Sequence, residues 1–216
     1  MARYTGPVCR ICRRENEKLF LKGERCFSPK CAMEKRAFVP GDHGKSSSGR
    51  GGGSDRASDY SRQLRAKQKA RRTYGVLESQ FRRFFSEAEK SKKGKTGLIL
   101  LQLLETRLDN VIFRLGFAES RAKARQMVSH GHFLVNGVKT DVPSMILKPG
   151  DTIAVREGSK KKAMFTDFAE TAEKRNCPAW LERDCSAISG RIARLPERSE
   201  IDGNITEQLI VEYYSR

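Results

Sequence analysis

Apolar positions along the chain follow two periods. Leu77, Phe81, Phe84, Phe85 and Ala88 fall at helical spacing with Arg82 and Arg83 on the other side, the pattern of a core-facing helix rather than of rings free to stack on bases. Thr96 is placed to cap a helix with apolar positions Leu100, Leu104, Leu108, Val111, Ile112 and Leu115, stopped by Gly116. Ser120 caps a short helix, Arg121 to Ser129, ended by Gly131, with Ala124, Met127 and Val128 on its inner face. The period then drops to two. Phe133 and Val135 lead into Asn136-Gly137, a strong hairpin signal, and Val138 and Thr140 continue from it. Lys148-Pro149-Gly150-Asp151 makes a second turn before a strand over Thr152–Arg156. The pattern predicts two helices packed on a small antiparallel sheet. Beyond it, Met164, Phe165, Phe168 and Ala172 suggest a helix, followed by Pro178, Trp180 and a last apolar segment.

Ser58 to Tyr74 also reads as a helix, with Gly75 as its stop. It carries Arg62, Arg65, Lys67, Lys69, Arg71 and Arg72, and little apolar surface beyond Tyr60, Leu64 and two alanines. After Asp59 it has no acidic residue to form i,i+4 pairs. Packing alone does not account for such a helix; RNA phosphates could neutralise its charges in place.

The charge of the whole chain agrees. The formal net charge is +17 and hydrophobic residues make up 38% of 216 positions. Residues 1–75 hold 19 Lys/Arg against 7 Asp/Glu, residues 76–130 hold 11 against 6, and residues 131–216 hold 13 of each. A one-sided excess of this size points to a polyanionic partner, nucleic acid before an acidic membrane, rather than to a surface kept for solubility. No apolar run approaches the roughly 20 residues of a bilayer span, and the first residues lack a signal-peptide core. The expected setting is the cytosol.

Cysteines there stay reduced, so grouped cysteines suggest metal. Cys9 and Cys12 form a C-x2-C pair, and Cys26 and Cys31 follow as C-x4-C after thirteen residues. Two such pairs can place four thiolates around one structural Zn2+, with no open position for catalysis. Arg10, Arg13, Arg14, Arg25 and Lys30 nearby would favour thiolates. The segment is poor in apolar residues, and a metal clip can stand in for a core. Cys177 and Cys185 flank Trp180 and Leu181 and read as buried free thiols.

Two stretches look briefly like phosphate-binding loops, Gly44-Lys45-Ser46 and Gly94-Lys95-Thr96. The motif needs a glycine five residues before its second glycine, where Val39 and Glu89 stand. Both fail. No carboxylate after Arg156 has a recognisable catalytic partner, so no enzyme is expected and no catalytic residue is assigned.

The expected class is α+β: a mainly helical N-terminal domain with a zinc-clipped arm, plus a two-helix-on-antiparallel-sheet RNA-binding module. The divisions are an arm over 1–44, a flexible basic linker over 45–57, a helical domain over 58–104 packing with 157–216, and the module over 105–156.

Arg107-Leu108-Asp109-Asn110-Val111, Arg114-Leu115-Gly116-Phe117, Ser120-Arg121, Ala124-Arg125-Gln126, His130-Gly131-His132 and Val135-Asn136-Gly137 together resemble the alpha-L RNA-binding motif. That motif also occurs in pseudouridine synthases, heat-shock RNA-binding proteins and tyrosyl-tRNA synthetases. The flanks narrow the resemblance. Arg3-Tyr4-x-Gly6-Pro7, Leu19 to Gly23, Pro40-Gly41-x-His43-Gly44, Gln63 to Gln68, Tyr74 to Arg82 and the tail Glu207 to Arg216 look like small-subunit ribosomal protein four of the bacterial type, with the four cysteines of its zinc-containing branch. Ser61 and Ala66 depart from the glycine and glutamate common there, and the Ser/Gly stretch over 45–57 is longer.

The resemblance implies a primary binder of 16S-type small-subunit rRNA that docks in the 5′ domain and helps nucleate the subunit body. It further implies contact with ribosomal protein five, an influence on decoding accuracy, and a position where mRNA enters the ribosome, for which Lys45, Arg50 and Arg56 are the candidates. The expected RNA-facing residues are Arg3, Tyr4, Arg13, Arg14, Arg36, His43, Arg62, Arg65, Lys67, Lys69, Arg71, Arg72, Arg82, Arg83, Arg107, Arg114, Ser120, Arg121, Lys123, Arg125, His130, His132 and Asn136. Arg121 and Arg125 are expected on one outer helix face, where the helix N-terminus adds positive potential. His130 and His132 are expected as a surface pair facing phosphate or sugar.

Overall fold

The computed structural model describes residues 3–41, 58–91, 94–166, 168, 175–201 and 205–216. The chain divides into two compact units, Met1–Gly97 with Gly203–Arg216, and Leu98–Asp202.

The first unit begins with the short helices α1 (Cys9–Glu15) and α2 (Ala32–Lys35), joined through a single 3-10 turn at Gly23–Cys26. A small cluster of Ile11, Cys12 and Leu19 holds this arm, with Val8, Leu21 and Met33 against it. Helix α3 spans Asp59–Thr73 and α4 spans Glu78–Lys90. Ser58 caps α3 by accepting from the Ser61 N–H, and Gly75, at φ +65°, turns the chain between the two. Phe81, Phe84, Phe85 and Ala88 are buried and Arg82 and Arg83 exposed, as the periodicity requires. The C-terminal helix (Glu207–Tyr214) packs on α3. Gln63 donates to Glu212 at 3.0 Å, and the Tyr214 ring lies 4.5 Å from that of Phe85.

The second unit takes in most of α5 (Thr96–Glu105), followed by α6 (Leu108–Arg114) and α7 (Arg121–Ser129). The sequence reads as one helix from Thr96 to Leu115, but the helix breaks at Thr106–Arg107. There the backbone is captured by a returning segment: Leu147 donates to the Thr106 carbonyl and Leu108 to the Met145 carbonyl, each at 2.9 Å. Arg107 is extended (ψ 138°) and pairs with Ile146 as an isolated bridge. Ser120 caps α7 by accepting from the Lys123 N–H. The hairpin of β1 (Phe133–Val135) and β2 (Val138–Thr140) closes through Asn136 and Gly137. Both have positive φ (49° and 81°), as a tight primed turn requires.

The sheet is larger than expected. Strands β3 (Thr152–Val155), β4 (Leu181–Asp184) and β5 (Ser189–Ile192) complete an antiparallel sheet of order β2-β1-β3-β5-β4. The described residues of 157–201 therefore belong with the module and with residues 98–104, where Gln102 donates to the Pro196 carbonyl at 2.9 Å, and not with residues 58–97; of the C-terminal segment, the described residues 205–216 join the first unit. Of the helix expected through Met164, Phe165, Phe168 and Ala172, the described residues show α8 (Glu157–Lys160), α9 (Ala163–Thr166) and a helical Phe168, while Ala172 lies outside them; Trp180 is fully buried. The core gathers Leu108, Val111, Ile112, Leu115, Phe133, Ile153, Phe165 and Trp180. Gly190 allows the close approach of α6 to β5, since a Cβ there would lie 2.7 Å from Leu115. Cys177 and Cys185 are half-buried at the edge of this core rather than enclosed by it.

Candidate nucleic-acid interface and cysteine cluster

The basic helix α3 is held by carboxylates from distant positions. Glu15, almost wholly buried, meets Arg72 at 2.7 Å and Arg65 at 3.3 Å. Glu17 pairs with Lys69, Glu78 with Lys67 at 2.8 Å and Arg71 at 3.3 Å, and Asp59 with Arg62. Phosphates were expected to neutralise the helix, which has no acidic i,i+4 partners after Asp59; long-range ion pairs do much of it. Four carboxylates meet six cations there, so an excess of positive charge remains. Lys67 is buried, its ammonium over the Tyr213 ring at 4.7 Å, and so is not an RNA-facing group. Burial pushes the Glu78 carboxyl up, but hydrogen bonds from Lys67 and Tyr214 and the Lys67 and Arg71 charges outweigh it and hold the group below its ordinary value. Arg13 donates to the Phe38 carbonyl at 2.9 Å and lies over its ring, which ties down the end of the arm. Arg3, Tyr4, Arg14, Arg36, Arg62, Arg82 and Arg83 are exposed. His43, Lys45, Arg50 and Arg56 lie outside the described residues.

In the second unit, several expected RNA contacts prove to be internal. Asp109, buried, accepts from Arg107 at 3.0 and 3.2 Å and from Arg125 at 2.9 Å. Arg107 is 1% exposed and Arg125 8%, which corrects the expected outer face shared by Arg121 and Arg125. Glu105, also buried, accepts from Arg114 at 2.7 and 3.0 Å and from Asn110 at 2.6 Å. Arg121 is half-buried; its Nε donates to Asn110 Oδ1 at 2.7 Å and its guanidinium lies over Phe113 at 4.6 Å. The guanidinium is therefore fixed in direction at the start of α7. Lys123 pairs with Glu119. Asn136 is exposed, yet its side chain binds Asp151 and Thr152 and locks the hairpin. Ser120 is spent as the helix cap.

The two histidines separate. His130 is exposed; His132 is buried, with Nδ1 3.0 Å from Ser159 Oγ. Burial lowers the His132 pKa, and the charges of Lys162, His130 and Arg156 lower it further. This corrects the expected surface pair. The same neighbourhood shows cations that sequence reasoning passed over. Lys139, Arg156 and Lys162 are exposed, and Lys139 lies across Gly131, its Cε 2.7 Å from where a Cβ would stand. The zero net charge of residues 131–216 conceals them; the run Lys160-Lys161-Lys162 was the available signal.

Cys12, Cys26 and Cys31 are buried and Cys9 half-buried, all as free thiols. Burial pushes the Cys12 thiol up, a Leu19 backbone hydrogen bond opposes this, and Cys26, Cys9 and Cys31 add to the rise. The Lys22 N–H donates to Cys26 Sγ at 3.3 Å. Among the described residues, no group of three or more His, Cys, Asp or Glu side chains is arranged to hold a metal ion. In chemistry alone, four cysteines within one arm are the donor type that structural Zn2+ sites use.

Family models match residues 3–153 of the 216-residue chain: the ribosomal protein S4/S9 N-terminal domain over residues 3–105 and the S4 domain over residues 106–153. The chain belongs to the ribosomal protein S4 family. It is 56% identical to small ribosomal subunit protein uS4 of Natranaerobius thermophilus, 54% to that of Heliobacterium modesticaldum and 55% to that of Pelotomaculum thermopropionicum. Each similarity spans 216 residues and the full length of both chains. The S4 domain match ends within β3, so β4 and β5 extend this unit beyond the matched module.

Proposed function

We infer that the protein is a structural component of the small ribosomal subunit that binds 16S-type rRNA directly, in the cytoplasm. The full-length similarity to small ribosomal subunit proteins carries this reading. The physical features agree with it. Net charge is +17, exposed arginines lie on the arm and on α4, and Arg121 is aimed from the start of α7 by Asn110 and Phe113. Phosphate contacts of this kind supply affinity and make it salt-dependent.

Within that role, docking at the 5′ domain helps nucleate the subunit body. The arm binds one structural Zn2+ through Cys9, Cys12, Cys26 and Cys31; the metal would supply the cross-link that its small apolar cluster cannot. Contact with ribosomal protein five, and contact with incoming mRNA through Lys45, Arg50 and Arg56, complete the reading. The rival is an RNA-modifying enzyme built on the same module. The described residues of segment 157–201 favour the non-catalytic reading, because they extend the sheet and fill its core. Sedimentation of cell extract tests the assignment. The protein is expected to travel with small subunits, and recovery only in free fractions overturns it.

A further inference from the structure

We propose that Phe20 and Phe27 form a stacking platform for an unpaired nucleobase of the rRNA. The two rings stack on each other, centroids 5.0 Å apart and planes 25° apart. They are among the exposed large apolar residues, Phe27 at 77% and Phe20 at 42%. An aromatic pair left in water on an arm with so small a core is not a folding contribution. The backbone holds the pair outward. Phe20 adopts φ 49°, the left-handed region that bulky residues avoid. On either side of it Leu19 and Leu21 turn inward to the arm cluster. Phe27 follows the 3-10 turn whose last residue, Cys26, is buried, and its N–H donates to the Glu24 carbonyl at 3.0 Å. Both rings are thus displayed from anchored neighbours.

The surroundings select the occupant. Lys22, Arg25 and Lys30 are exposed in the same turn, against one carboxylate, Glu24. The turn is tied together: Ser28 Oγ donates to the Arg25 carbonyl at 3.0 Å and accepts from the Lys30 N–H at 3.3 Å. Flat aromatic surface flanked along the chain by exposed cations matches a base attached to its phosphates. A purely apolar protein partner has no use for the cations. This inference rests on the rRNA-binding reading.

The test compares full-length protein, purified reduced and without chelators, for binding to a transcript of the 5′ domain of small-subunit rRNA over a range of salt. Phe27→Leu keeps an apolar side chain but removes the π-face. It is expected to weaken affinity about 5- to 150-fold, the range for losing one base stack, with an unchanged salt slope and unchanged thermal unfolding. Phe27→Trp is expected to bind at least as tightly as the parent. A Leu variant that binds like the parent, or a Trp variant that binds as weakly as the Leu variant, overturns the proposal. So does a Leu variant that binds the transcript normally but fails to enter subunits, which would make the pair a protein-docking patch. Failure of the parent to bind the transcript would overturn the rRNA reading together with the platform.

Discussion

The Arg125 guanidinium donates to the Asp109 carboxylate at 2.9 Å in the interior of the second unit. Arg107 occupies the same carboxylate from the break between α5 and α6. One anion thus joins the end of one helix to the middle of another. Asp109→Asn would leave two buried cations with a neutral partner, and losing one member of such an arrangement costs about 3–5 kcal/mol. Chemical denaturation should show a loss of this order. A loss below about 1 kcal/mol would mean that water already solvates the arginines.

Arg121 and Arg125, one helical turn apart, should therefore behave differently. Arg121→Ala is expected to weaken rRNA binding and reduce the salt slope by roughly one. Arg125→Ala should lower stability and leave the slope where it was. A slope change for Arg125 and none for Arg121 would reverse the assignment of inner and outer groups.

What was legible in the sequence was what local chemistry decides. The Ser58 and Ser120 caps, the Gly75 stop, the stripe through Phe81, Phe84 and Phe85, and the Asn136-Gly137 hairpin each depend on residues within a few positions. The rest depended on distant partners. An arginine has the same letter whether it meets a phosphate or Asp109, so Arg107, Arg114 and Arg125 read as RNA contacts. The acids that hold α3 lie at Glu15, Glu17 and Glu78, outside any i,i+4 search. Strands β4 and β5 escaped because Leu181-Glu-Arg-Asp and Ser189-Gly-Arg-Ile carry little apolar alternation. Arg183 is spent on donating to the Leu115 and Arg175 carbonyls, a tertiary contact that alternation does not report.

His132 gives a pH dependence of known sign. Its pKa in the folded protein lies below the ordinary value because burial and neighbouring cations disfavour the imidazolium. Unfolding frees the ring to take a proton, so below about pH 6.5 the unfolded state binds more protons. The stabilising contribution is fully present above that pH and is lost as pH falls from there through the depressed folded value. Denaturant titrations across pH 5–8 should show stability falling toward acid, and His132→Gln should flatten that fall. A variant with the same pH profile as the parent would assign the dependence to other groups.

The cysteine arm provides the sharpest separation between the units. Its apolar cluster is small, Ile11, Cys12 and Leu19 with a few half-buried neighbours, too little to hold some forty residues by burial alone. If four thiolates clip it through Zn2+, metal binding is folding energy for this segment. Elemental analysis of protein prepared reduced and without chelators should give about one zinc per chain, and Cys31→Ser should reduce that occupancy. Chelation should expose residues 3–41 to protease while the core around Trp180 and Leu108 keeps its protection, because that unit contains its own buried sheet and helices. Protein without zinc whose arm resists protease as well as the parent would remove the metal from the account.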